Sequence, residues 1–206
     1  MDLARFRKLP ILGIIRCSSP VPVEELVESI VSSGLETIEI AMNSLSAASV
    51  IERSVKAAKG RLMIGAGTVT DTDILKTALD AGATFIVTPV LIEDVVEYCV
   101  KNVVPVFPGA LTPQEIYNAW RSGATMVKVF PSAAFGPSYI KEVKAPFSDI
   151  ELLACGGIKP ENIKAYFECG ASAVAFGGSV FTKERLEKRE FQLIERSIKD
   201  LIANAK

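Results

Sequence analysis

Along the chain, short apolar runs alternate with longer stretches whose hydrophobic residues recur at helical spacing. The runs Ile11–Arg16, Thr37–Ala41, Met63–Gly67, Phe85–Thr88, Val104–Phe107, Met126–Phe130, Leu152–Cys155 and Ala173–Phe176 are nearly continuous hydrophobic segments. That pattern predicts strands covered on both faces. Between them, Val23–Ser33, Thr72–Ala81, Pro113–Ser122 and Pro160–Cys169 read as amphipathic helices. Pro113 and Pro160 fall at the first turn of their helices, where a missing N–H costs nothing. A last charged, amphipathic stretch covers Lys183–Ala205. One motif recurs: GLETIEI from Gly34, GATFIVTP from Gly82, GATMVKVFP from Gly123 and GASAVAFGG from Gly170. It predicts a helix ending on a left-handed glycine and dropping through a tight loop into a buried strand. The four glycines are 48, 41 and 47 residues apart, about two strand–helix units each. Eight strands alternating with helices predict a parallel (β/α)8 barrel, a TIM barrel, as a single domain over residues 1–206. An open doubly wound sheet is the alternative.

Composition narrows the chemistry. At 206 residues and 49% hydrophobic, the chain can bury a full-sized core without disulfides. A formal charge of −1 with no basic cluster argues against a nucleic-acid partner. No apolar run approaches the roughly 18 residues of a membrane span. The opening MDLARFRKLP is charged throughout and lacks the apolar stretch of a signal peptide. Cys17, Cys99, Cys155 and Cys169 are scattered, which reads as reduced thiols in a cytoplasmic protein. The chain has no histidine. Catalysis must therefore use Lys, Glu, Asp, Tyr, Ser, Thr, Cys or the backbone.

Several strands carry polar residues that packing would not choose, and the C-terminal strand ends are where such a barrel keeps its active site. In ATMVKVFPS, alternation sends Val127 and Val129 toward the helices and Met126, Lys128 and Phe130 inward. Burying an ammonium favours the neutral, nucleophilic amine, the form that imine chemistry requires. The plain alternative is a lysine that snorkels out at the strand end. In ETIEIAM, Glu39 points inward while Ile38 and Ile40 point outward; its plain alternative is an ion pair with Lys128 or Arg16. Arg16 closes LGIIR on the inward side, or else is an ordinary surface arginine. The GAGT run, Gly65–Thr68, lets backbone approach a ligand closely or merely relieves packing. Glycine pairs follow the last two strands at Gly156–Gly157 and Gly177–Gly178, the second followed by Ser179. Backbone N–H groups there suit a phosphate.

These residues resemble the aldolase family that cleaves 2-keto-3-deoxy-6-phospho sugar acids and 4-hydroxy-2-oxoglutarate. The resemblance runs from Ile11 to about Phe181. It rests on IEI around Glu39, IGAGTV at Ile64–Val69, IVTP at Ile86–Pro89, PG at Pro108–Gly109, KVFPSAAFGPSYIK at Lys128–Lys141, and GGIKPEN from Gly156. It implies Lys128 as the Schiff-base lysine of a class I enzyme and Glu39 as the acid/base residue. It further implies Arg16, Thr68, Pro89, Phe130 and Cys155 as substrate contacts, and Gly156, Gly157, Gly177, Gly178 and Ser179 as the phosphate site. The substrate would be a small keto acid, with no metal or cofactor, and the assembly a homotrimer. Two positions depart from the phosphogluconate branch: Asn43 stands where an arginine is common, and Cys155 where a threonine is. Both look more like the phosphogalactonate branch. The rival readings are a phosphate-independent 4-hydroxy-2-oxoglutarate aldolase and a silent sugar-phosphate-binding barrel.

Overall fold

The computed structural model describes residues 1–205. Nine short parallel strands are present: β1 (Ile11–Ile15), β2 (Thr37–Ala41), β3 (Met63–Gly67), β4 (Ile86–Val87), β5 (Val106–Phe107), β6 (Gly109–Ala110), β7 (Val127–Val129), β8 (Leu152–Cys155) and β9 (Ala173–Phe176). They are ordered β5-β4-β3-β2-β1-β9-β8-β7-β6. The two ends of that order are one piece of chain. β5 pairs with β4, β6 pairs with β7, and only Pro108 separates them. A proline has no N–H to give a ladder, but its carbonyl still accepts the Lys128 N–H at 2.8 Å. The segment Val106–Ala110 thus closes the ring as one stave, giving eight, and the open-sheet alternative falls away.

The helices are α1 (Leu3–Lys8), α2 (Val23–Ser32), α3 (Ala47–Ala58), α4 (Thr72–Asp80), α5 (Glu93–Lys101), α6 (Pro113–Arg121), α7 (Pro137–Lys144), α8 (Ile163–Glu168), α9 (Lys183–Glu187) and α10 (Phe191–Asn204). The repeated glycines behave as the pattern predicts: Gly34, Gly82, Gly123 and Gly170 have φ of +85°, +99°, +96° and +95°. Strand alternation divides the core in two. Ile38, Ile40, Val127 and Val129 pack outward with the helices. Leu12, Phe85, Phe107, Met126, Leu153 and Ala175 fill the barrel.

Two local expectations need correcting, and one element was not foreseen. Pro160 does not begin a helix: Pro160–Asn162 form a turn, and α8 starts at Ile163. There the Asn162 side chain accepts the Lys159 N–H and donates to the Gly157 carbonyl, which holds the turn. The last stretch is two helices, broken around Arg189 with φ +55°. The opening residues form α1, capped by Asp2, whose side chain accepts the Arg5 N–H. Phe6 on this helix is fully buried with Phe107 and Leu12 inside the barrel. Ion pairs Arg5–Glu36 and Arg7–Glu151 tie α1 to the residues just before β2 and β8. It therefore plugs the N-terminal end of the barrel and leaves the other end open.

Candidate active site

The C-terminal ends of the strands surround a cavity of about 510 Å³. Lys128 and Glu39 stand on its wall, with Arg16, Thr68, Pro89, Phe130 and Cys155 around them. The glycine pairs Gly156–Gly157 and Gly177–Gly178, with Ser179, complete one side. The structure thus gathers the expected catalytic, substrate and phosphate residues into one space, while Gly65 and Gly67 of the GAGT run stay outside its lining.

Lys128 sits in the middle of β7, between the outward Val127 and Val129, and is 8% exposed. Its Nζ lies 5.3 Å from the centroid of the Phe130 ring, which leans over it from the strand end. The neighbouring stave is opened by Gly109, where a Cβ would fall 2.1 Å from the Pro89 carbonyl oxygen. Only glycine lets the end of β4 come this close to β6.

Glu39 on β2 is 1% exposed, and its Oε2 has no hydrogen-bond partner among the described residues. The paired glycines of β3 explain how it fits. A Cβ on Gly67 would lie 2.2 Å from Glu39 Oε1, and one on Gly65 would lie 2.5 Å from the Phe85 ring. These glycines clear space for side chains, so the packing reading of the GAGT run holds for both. Burial pushes the Glu39 carboxyl up from its ordinary range, while Lys128 and Arg16 pull it down through space rather than by hydrogen bonds. A close buried ion pair is not what holds Glu39. The Arg16 Nε–H instead donates to Asn43 Oδ1 at 3.2 Å.

Thr68 adopts φ +56°, an uncommon conformation for a branched residue, at the edge of the cavity. Cys155 is buried at the end of β8, and desolvation pushes its thiol up to about 11, so it stays protonated at neutral pH. Its N–H donates to Ser132 Oγ at 3.0 Å, and Ser132 Oγ in turn donates to the Val129 carbonyl at 2.7 Å. Ser132 thereby staples the end of β7 to the end of β8. It is a positioning residue that the sequence reading missed, since a serine after a proline looks like any loop residue.

The loops after β8 and β9 are joined by Ser179, whose hydroxyl donates to the Ile158 carbonyl at 3.0 Å. Gly156 and Gly157 have φ of +98° and +75°. Among the described residues, the N–H groups of Gly157, Gly178 and Ser179 donate to no protein acceptor. The helices that follow begin farther on, at Ile163 and Lys183, so these donors belong to turns rather than to helix starts. Ile14, Ile158, Lys159 and Ala175 also line the cavity and were not anticipated. For Ile14 and Ala175, alternation along β1 and β9 was the available signal. Lys159 lies two residues past the glycine pair, beyond Ile158, and a polar residue in a loop gave no cue.

Among the described residues, no group of three or more His, Cys, Asp or Glu side chains is placed to hold a metal. Among the same described residues, no helix is long and apolar enough to cross a membrane.

A family model described as KDPG and KHG aldolase matches residues 3–197. The chain is 33% identical to the 2-dehydro-3-deoxy-6-phosphogalactonate aldolase of Escherichia coli K12, covering 97% of this chain and 94% of that one. It is 31% identical to the 2-dehydro-3-deoxy-phosphogluconate aldolase of Haemophilus influenzae, again over 97% and 94% of the two chains. A solved structure described as native KDPGal superposes with a TM-score of 0.89 at 30% identity, covering 96% of this chain and 94% of that one.

Proposed function

Because this chain belongs to the KDPG and KHG aldolase family, we propose that it cleaves a 2-keto-3-deoxy-6-phospho sugar acid through a Schiff base on Lys128. The products are pyruvate and glyceraldehyde 3-phosphate. The observation that carries this reading is a nearly buried lysine amine facing the same cavity as a buried carboxyl with an unpartnered oxygen.

The chemistry follows from those two groups. The Lys128 amine adds to the C2 ketone and water leaves, giving an iminium ion. Glu39, directly or through one water, takes the proton of the C4 hydroxyl. The C3–C4 bond then breaks, its electron pair moves onto the iminium nitrogen, and the aldehyde departs. The enamine is protonated at C3, and hydrolysis of the resulting imine frees pyruvate and the lysine. Arg16 and Thr68 orient the keto-acid end. The free N–H groups of the two glycine loops take the terminal phosphate.

Cys155 supports the phosphogalactonate epimer over the phosphogluconate one. A protonated thiol is a weak donor and a poor acceptor, so this wall does not select a C4 hydroxyl as a threonine would. Side-by-side rates on the two epimers read that preference directly. The same reading extends to a single-domain, cytosolic homotrimer. The exposed apolar side chains of Val90, Phe130 and Phe135 near the barrel mouth support association on that side.

Borohydride reduction in the presence of pyruvate tests the proposal. It should fix one adduct per chain, on Lys128, and Lys128→Ala should lose adduct and turnover together. An adduct on another lysine, or none, overturns the mechanism.

A further inference from the structure

We propose that Lys159, at the rim of the cavity, is a specificity-determining residue that supplies the positive charge for the substrate's terminal phosphate. The inference rests on the phosphate reading above and names the cation that reading lacks. A phosphomonoester carries close to two negative charges at neutral pH. The glycine loops answer it only with neutral N–H donors. Lys128 is committed to the keto carbon. Arg16 is drawn by its bond to Asn43 toward the loop after β2, away from β8. Lys159 is the remaining cation on the wall, and it stands one residue beyond Ile158 in the loop after β8.

The backbone that carries Lys159 is fixed from three sides. Its own N–H donates to Asn162 Oδ1 at 2.8 Å, and the Asn162 amide donates to the Gly157 carbonyl at 2.9 Å. The Ser179 hydroxyl reaches the Ile158 carbonyl from the loop after β9, and the Ile158 side chain is itself buried. Lys159 therefore stands on a braced loop that follows one glycine pair and is tied through Ser179 to the loop of the other. Its ammonium is not spent elsewhere. Exposed lysines on this protein commonly pair within a helix, as Lys56–Glu52, Lys188–Glu184 and Lys199–Glu195 do. Among the described residues, Lys159 has no such partner. On the wall of the same cavity, a Cβ on Gly178 would meet nothing within 4 Å, so there is room for a bulky anion.

The plain reading of an exposed lysine is a solvated surface charge, and the experiment separates the two. Wild type, K159Q and K159R are assayed on the 6-phospho sugar acid and on 4-hydroxy-2-oxoglutarate, with inorganic phosphate as a competitive inhibitor. K159Q should lose roughly three- to tenfold more kcat/KM on the phosphorylated substrate than on the other, as expected for a charge-assisted contact partly screened by solvent. The loss should fall on KM, inhibition by phosphate should weaken in parallel, and K159R should restore most of both. Thermal melting checks that the fold is intact. If wild type prefers the phosphorylated substrate while K159Q loses equally on both substrates, or on neither, Lys159 is not the reader and the phosphate site still stands. If wild type prefers 4-hydroxy-2-oxoglutarate and ignores inorganic phosphate, both ideas fail.

Discussion

Glu39 occupies a strand position that packing alone would give to an apolar side chain, and β3 gives up two Cβ atoms beside it and Phe85. The fold thus bears a cost for a carboxyl whose Oε2 bonds to nothing. Because burial raises its folded pKa, the folded chain holds a proton that the unfolded chain releases above about pH 4.3. The stability this contributes is full below that unfolded value and is lost as pH rises through the raised one. Glu39→Gln removes the titration. Its urea midpoint should gain on the wild type as pH climbs from about 4 to about 8, while turnover falls by about 10²–10⁴. A midpoint difference that ignores pH would show that burial does not strain Glu39, and a turnover loss under about threefold that it is not catalytic. Glu39 and Lys128 were legible in the sequence because a charge inside an alternating apolar run violates the pattern. Ser132 and Lys159 were not, because a polar residue in a loop violates nothing.

At the scale of elements, the legible parts are those whose hydrogen bonds close within a regular ladder. β2, β3, β8 and β9 match the expected bounds and β1 ends one residue early, whereas β4, β5 and β7 are shorter and the short β6 was not expected. Prolines at 89, 105, 108 and 131 flank those four and withhold the N–H groups that would extend them. The turn before α8 was hidden because side-chain bonds from Asn162, not periodicity, define it. The two glycine loops looked equivalent in the sequence and are not. Gly157 has φ +75°, and a Cβ there would sit 2.6 Å from the Ala133 Cβ. Gly178 has no positive φ and open space around it. Gly178→Val should therefore keep the wild-type melting temperature and raise KM for the phosphorylated substrate well above any effect on pyruvate exchange. Gly157→Val should lower the melting temperature by several degrees, since strain and overpacking each cost about 1–3 kcal/mol. If Gly178→Val raises both constants alike, its loop does not hold the phosphate.

At the scale of the whole molecule, the barrel has one working end and one sealed end, and the seal is α1. A chain of alternating strands and helices predicts the ring but not what fills its base. The charges spaced along LARFRK disguise Phe6 as a surface residue. In the structure its ring centroid lies 6.1 Å from that of Phe107, which lies 5.7 Å from that of Phe85, so three tilted aromatic rings form one run of contacts across the interior. The N-terminal ammonium adds a bond to the Thr84 carbonyl at 3.0 Å, pinning the helix where β4 is about to start. Removing a fully buried phenyl group costs about 3–5 kcal/mol in transfer and cavity terms. That is a large part of the roughly 5–15 kcal/mol by which a domain is stable. For a chain of this size each kilocalorie shifts the melting temperature by about 2–4 °C. Phe6→Ala should therefore melt roughly 6–20 °C below the wild type. The working end lies across the barrel from the plug, and Phe6 does not line its cavity. Well below the new melting point, then, kcat/KM should stay within about twofold of the wild type. Calorimetry and a steady-state assay on the same preparation measure both quantities. A melting shift under about 3 °C would mean that α1 only decorates the base. A large drop in kcat/KM at low temperature would mean instead that the interior aromatic cluster transmits its packing to Lys128 and Glu39.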